Sequence, residues 1–476
     1  MIRHMRTWLI AAMTLAVAPW AKAVEPLRAH VQGGSVVGIV DGGVEIFKGI
    51  PYAAPPTGPL RAVLPQPVVP WAGERQADDF GFSCPQRSTP RNVPSDSRAA
   101  RLDEDCLTVN VWAPAAARKT PVMVYLHGGG NEGGSSADSY YNGTEFARDG
   151  VVLVSLNYRL GSLGFQPHDG TANLGLWDQI AALKWVRENI AVFGGDPHNV
   201  TLFGESAGGE DTLILMTAVA ARGLFQRAIV ESGGGGWGPT PTLAEAQKAQ
   251  PEGYAQPLVD GRLLKEPPLQ AFAAGRIAHI PLIIGTNGGE GSLLGSDART
   301  EGLFPQLSKE DLRELAALYG PEASNDDALA RLVFRDGYFA SEARWIAAKV
   351  SAAGAPAYLY RFAYVLAALQ GRRAGANHGS EIPFVFDRMP PLKIDDADIR
   401  VERALHGCWV AFAKTGKPTC EDAPGWPRFE PGKDGKWMFF DAHPTVRPLE
   451  NAAALDLLQC RLAVGLAAVE GACAVK

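Results

Sequence analysis

Short apolar runs recur along the chain, each closed by glycine or polar turn residues: VMVYL (122–126), VVLVSL (151–156), VTLF (200–203), and the shorter runs 228–230 and 282–284. They are largely β-branched and apolar throughout, without a polar alternate position, which predicts strands buried on both faces of one sheet. Between them, DQIAALKWVRENI, starting at Asp178, sets Ile180, Leu183, Val186 and Ile190 at helical spacing, and the breaker GGDP follows at 194–197. That pattern predicts a helix with one apolar face, ending before the breaker. Strands alternating with helices imply an α/β chain whose mostly parallel, twisted sheet is flanked by helices. A large α/β domain can absorb 476 residues, and no repeat, low-complexity tract or linker divides them, so one domain over 24–476 is expected.

The N-terminus breaks this pattern. MIRHMRTWLIAAMTLAVAPWAKAVEP carries Arg3 and Arg6, an apolar stretch over 8–18, and the small-x-small run Ala21-Lys22-Ala23. This reads as a secretory signal peptide, 1–23, cleaved after Ala23. The stretch is shorter than the roughly 20 apolar residues a bilayer span needs, and no later segment is long and apolar enough, so no membrane span is expected. The mature protein is expected to be exported, to a periplasm or beyond. A formal net charge of -6 without a basic cluster offers nothing to a nucleic-acid backbone.

Export changes the reading of the six cysteines, because an oxidising compartment favours disulfides over metal sites. Cys84 with Cys106, Cys408 with Cys420 and Cys460 with Cys473 are each close enough to close a local loop. Sequence spacing alone leaves the pairing open.

Candidate chemistry centres on NVTLFGESAGGEDTL (199–213). In Gly204-Glu205-Ser206-Ala207-Gly208, small neighbours let a strand turn sharply into a helix and hold the serine up on a strained elbow. The helix that follows lends its N-terminal N–H groups to negative charge developing nearby. A plain glycine-rich strand-to-helix connection is the bland alternative for the pentapeptide by itself. A serine nucleophile needs a base, and the base an acid. Four of the nine histidines follow Ser206. His378 lies in the small, turn-forming segment ANHGS, whereas His406 lies in helix-like VERALHGCWVAF and reads as a packing residue, His443 precedes a proline, and His279 directly precedes a strand. Glu290 follows PLIIG and TNGG at a strand's end, where such sheets gather function; a solvated loop carboxylate fits that position equally. His127-Gly128-Gly129-Gly130 follows VMVYL and offers bare N–H groups for an oxyanion.

With these residues in view the chain resembles the type B carboxylesterase family, which includes the cholinesterases. The resemblance is carried by FKGIPYAAPPTGPLR (47–61), EDCLTVNVWAP (104–114), YLHGGG (125–130), VSLNYRLGSLGF (154–165), NLGLWDQIAALKWVRENIAVFGGDPHNVTLFGESAGG (173–209), GLFQRAIVESG (223–233), GTNGGEGS (285–292), NHGSEIPFVF (377–386) and WVAFAKTGKPTC (409–420). It spans roughly residues 30 to 445. It implies an α/β-hydrolase fold and a cofactor-free, metal-free ester hydrolase acting on a small-molecule ester. It also implies Ser206 as nucleophile, Glu290 as acid and His378 as base, with Gly129, Gly130 and Ala207 forming the oxyanion hole. Glu205 would support the serine without taking its proton, and Cys84 would join Cys106.

The chain departs from the family pattern in four places. Gly289 stands where an aspartate usually precedes the acid, Asn131 stands where an aromatic residue commonly follows the glycines, and Glu210 and Asp211 stand where many relatives have small residues. The two acids lie in a helix's first turn and read as mainly structural. Only 84 positions separate Ser206 from Glu290, fewer than the family normally has. A missing wall segment predicts a shallow, open site for short-chain or bulky aromatic esters; a specialised xenobiotic-ester or amide hydrolase, or a silent binding relative, are the alternatives.

Overall fold

The computed structural model describes residues 27–90, 92–248, 256–430 and 435–463; the expected signal peptide lies outside them. Thirteen strands form one sheet: β1 (Leu27–Val31), β2 (Gly34–Asp41), β3 (Val44–Pro51), β4 (Glu74–Gln76), β5 (Thr108–Pro114), β6 (Thr120–Leu126), β7 (Val152–Leu156), β8 (Gly195–Glu205), β9 (Arg227–Glu231), β10 (Leu282–Asn287), β11 (Ala357–Phe362), β12 (Lys436–Phe440) and β13 (Thr445–Pro448). Their order is β1-β2-β3-β5-β7-β6-β8-β9-β10-β11-β12-β13, with β4 beside β2. From β7 to β12 every pairing is parallel, and β1-β2-β3-β5-β7 and β12-β13 are antiparallel. This is the α/β-hydrolase arrangement.

The five apolar runs of the sequence are β6 to β10, the parallel centre. Their two-residue period splits each strand between two cores. Val122, Val124 and Leu126 pack on one face, and Met123 and Tyr125 on the other. In β10, Leu282 and Ile284 oppose Ile283 in the same way. Burial on both faces is why no polar alternate appears in these runs.

The expected helix spans Leu174–Asn189, beginning four residues before Asp178 because Asn173 takes a left-handed conformation, φ 58°, just ahead of it. Its Ile180, Leu183 and Val186 are buried. Gly194, φ 78°, closes the turn after it, and β8 begins at Gly195, so GGDP ends the helix and starts the strand. Asp178 is buried against Arg159, whose guanidinium reaches both carboxylate oxygens at 2.6 and 2.7 Å. That fork ties the helix to the loop following β7.

Cys84 and Cys106 are bridged, and so are Cys408 and Cys420. Cys460 is also disulfide-bonded; Cys473 lies outside the described residues. Among the described residues no helix is long and apolar enough to cross a membrane.

Candidate active site

Ser206 sits between the end of β8 and the helix Ala207–Thr217, with φ 55° and ψ −125°. A non-glycine residue in that region is strained, and here the tight turn imposes it. Gly208 shows how tight: a β-carbon there would lie 2.0 Å from the carbonyl oxygen of Leu126. The Ser206 N–H donates to the carbonyl of Glu231 at 2.8 Å, which anchors the elbow to β9. Gly129 and Gly130, both at positive φ, line one cavity of about 430 Å³ together with Ser206, Ala207, Glu205 and His378.

His378 arrives from the loop after β11, held against the loop after β10. Gly289 N–H donates to Ala376 O at 2.7 Å, and His378 N–H donates to Ser292 Oγ at 3.0 Å. A β-carbon on Gly289 would lie 2.7 Å from Ala376 O. The glycine that replaces the usual aspartate thus permits the approach that brings the two loops together.

Glu290 is fully buried. Its Oε1 accepts from Ser232 Oγ at 2.6 Å, Thr286 Oγ1 at 3.0 Å and Asn287 N–H at 2.7 Å, and its Oε2 lies 2.6 Å from His378 Nδ1. On the other side of the ring, His378 Nε2 lies 3.1 Å from Glu205 Oε1, and neither atom makes a hydrogen bond. Phe339 packs against the imidazole with ring centres 5.5 Å apart.

Three carboxylates surround this imidazole. Burial pulls the His378 pKa down, but Glu205, Glu290 and Glu381 outweigh it and raise it to about 10. Burial pushes Glu205 up to about 7 and Glu381 up to about 8. A protonated Glu205 attracts His378 less, so the three groups share protons and titrate as one set. The net direction for His378 is upward from 6.5.

The departures at Asn131 and Asp211 are partners. Asn131, at φ 57°, donates from Nδ2 to Asp211 Oδ1 at 3.2 Å, and Gln179 donates to Asp211 Oδ2 at 2.5 Å. The Tyr158 hydroxyl lies 2.8 Å from His127 O and 3.2 Å from Asn131 Oδ1, sharing its one proton between them. The loop after the glycines is therefore pinned by polar contacts where an aromatic side chain is common. Glu210 forms no such contact.

Of the other histidines, His406 is buried on the helix Asp396–Thr415, with Nδ1 2.7 Å from Val385 O and Nε2 3.2 Å from Asp149. It is the packing residue its surroundings suggested. His279 and His443 are exposed. Glu381 is fully buried and accepts from Asn287 Nδ2.

Sequence reasoning missed the donors to Glu290 and the aromatic side of the cavity, formed by Phe334, Tyr338 and Phe339. Two of these lie in a π-helical turn, Arg335–Ala340, a distortion frequent at functional sites. Beneath it Asp336 is buried between Arg335 and Arg361, at 2.7 and 3.1 Å. Ser232 lay within the quoted VESG and could have been noticed; the aromatic segment carries no comparable motif.

Comparison with known proteins agrees with the fold. The carboxylesterase family model matches residues 25–236 and 320–458; the gap contains Glu290, whose placement here comes from its contacts. The chain is 35% identical to the fumonisin B1 esterase of Sphingopyxis macrogoltabida, covering 91% of this chain and 90% of that protein. It is also 35% identical to the para-nitrobenzyl esterase of Bacillus subtilis (strain 168), covering 84% and 91% respectively. A solved PNB esterase structure superimposes with a TM-score of 0.77 at 34% identity, over 90% of this chain and 99% of that one. With a matched family model over most of its length and full-length esterase relatives, the chain belongs to the carboxylesterase family and is a serine carboxylic ester hydrolase.

Proposed function

We propose that Ser206 attacks the ester carbonyl, His378 accepts its proton through Nε2, and Glu290 orients and stabilises the imidazolium through Nδ1. The N–H groups of Gly129, Gly130 and Ala207 then receive the oxyanion. His378 passes the proton to the leaving alcohol, and water releases the acyl group by the same route reversed. The observation that carries this reading is the 2.6 Å contact between Glu290 and His378 Nδ1, on a ring that borders the same cavity as Ser206 and the glycines. Nε2 without a partner fits a base that tightens onto the serine only when substrate is bound.

The substrates are short-chain or bulky aromatic esters. Leu293, Phe334, Tyr338 and Phe339 give the cavity an apolar, ring-rich side. The helix Leu243–Lys248, in the shortened stretch, has no buried residue and adds no depth. Similarity to an enzyme named for para-nitrobenzyl esters supports the same size class. The enzyme works as a single exported domain after removal of 1–23, a reading the disulfides favour.

Hydrolysis of p-nitrophenyl butyrate tests the assignment. Ser206→Ala should lower kcat on the order of a thousandfold or more, and activity within tenfold of wild type would overturn it. In a series from acetate to palmitate with a benzoate ester alongside, kcat/KM should favour the short and aromatic members; a steady rise toward palmitate would refute the size preference.

A further inference from the structure

Glu210 lies one turn beyond Ser206 on the elbow helix, in the cavity's wall. It also borders a second recess of about 40 Å³, lined by Gly236, Thr240, Gln256 and Glu342. The carboxylate therefore stands at the junction of the two spaces. Asp211 beside it is held by Asn131 and Gln179, and Glu342 accepts the Gly236 N–H at 2.9 Å. Glu210 has neither a hydrogen-bonding nor a cationic partner among the described residues. Instead it faces like charge from Asp211 and Glu342, and burial with that charge pushes its pKa well up.

Such a carboxylate stabilises nothing in the free protein. Glu210 is half-buried and meets no counter-charge from the protein, and a cation arriving through the cavity would supply one. The aromatic side of the cavity, with Phe334 and Tyr338 stacked at 5.1 Å, suits a cation's approach. The recess holds little more than a few waters' worth of space, so it admits a small head group and excludes a trimethylated one. Four helical residues advance about 6 Å, so the Glu210 backbone stands about one turn along the helix from Ser206.

We propose that Glu210 is a specificity-determining residue that receives a primary ammonium group carried by the part of the ester substrate that lies toward the second recess. The inference rests on the Ser206 reading above and deepens it by naming the substrate class. Binding the ammonium favours the ionised carboxylate, so the preference strengthens as pH rises and Glu210 loses its proton. The groups facing Glu210 are Asp211 on its own helix, Glu342 from the helix Ser341–Ala352 and Tyr338 from the π-helical turn; Glu205 and His378 share the cavity.

The test compares p-nitrophenyl 4-(aminomethyl)benzoate with its neutral isostere, the 4-ethylbenzoate, at several pH values. In wild type, kcat/KM should favour the ammonium ester by about tenfold or more, with the ratio growing as pH rises while the amine stays charged. His378 titrates in both reactions and cancels in the ratio. In Glu210→Gln the ratio should fall to one or below, and a trimethylammonium analogue should show no preference in either enzyme. If Glu210→Gln does not fold, inhibition of wild type decides: benzylammonium should compete more tightly than benzyl alcohol, and more so at higher pH. A wild-type ratio of one or less, an unchanged ratio in Glu210→Gln, or equal inhibition would overturn the inference. Hydrolysis of the neutral ester that depends on Ser206 but shows no charge preference would leave the function standing and remove this inference alone.

Discussion

Two glutamates face opposite nitrogens of His378, and their surroundings assign them different work. Glu290, at Nδ1, is surrounded by donors: one hydroxyl from β10, one from the residue after β9, a backbone N–H and the imidazole itself. Glu205, at Nε2, is almost as deeply buried, yet its Oε1 makes no hydrogen bond, and burial raises its pKa to about 7. A carboxylate met by donors at both oxygens is fixed in orientation. One left short of donors beside a titrating ring exchanges protons with it. Residue type and depth alone do not distinguish them; the count of donors does.

Breaking the Nδ1 side should cost the most. Glu290→Gln keeps the shape but removes the charge that stabilises the imidazolium, and kcat should drop on the order of a thousandfold or more, with the melting temperature nearly unchanged. If that variant keeps full activity while Glu205→Gln or Glu381→Gln loses it, the acid has been misassigned.

Breaking the Nε2 side should cost less and read out differently. Glu205→Gln should lower kcat by on the order of tenfold, the size of one charge-assisted contact. It should also move the pH profile. Activity requires Nε2 unprotonated, so kcat/KM rises with pH through the pKa of the set. Glu205 raises that pKa, and its removal should shift the ascending limb to lower pH. An unmoved limb would mean Glu205 carries no charge in the working enzyme.

The smallest effect is on stability and involves Glu381. Burial lifts its pKa from 4.5 to about 8, so the folded chain retains a proton that the unfolded chain releases. Between those pH values the native state binds more protons, and stability therefore falls as pH rises across the window. Glu381→Gln removes this loss and can still accept from Asn287. Relative to wild type, its melting temperature should rise by about 2 °C or more at pH 9 and not at pH 4. A gain of equal size at both pH values would indicate a packing effect.

The elbow and the glycine loop were legible in the sequence because each is a local backbone demand. A β-carbon at Gly208 meets the Leu126 carbonyl, and Gly129 needs φ 113°; such needs appear as glycines at fixed offsets. Gly289, Asn131 and Asp211 looked like irregularities because their reasons lie across space. Gly289 makes room for Ala376, and Asn131 meets Asp211 from 80 residues away. Glu210 and Asp211 read alike as first-turn acids, yet only Asp211 has structural partners.

By itself the sequence determined the alternation of buried strands and helices, the serine on its turn and the glycines beside it, because periodicity and backbone geometry are written in neighbouring residues. It left Glu290 equal, on position alone, to any loop carboxylate, and only the family resemblance singled it out. Which carboxylate meets Nδ1, which is left short of donors at Nε2, and which rings wall the cavity were decided by the tertiary structure. His378 and Glu290 are 88 residues apart, and a buried carboxylate's character depends on donors that reach it from several strands at once.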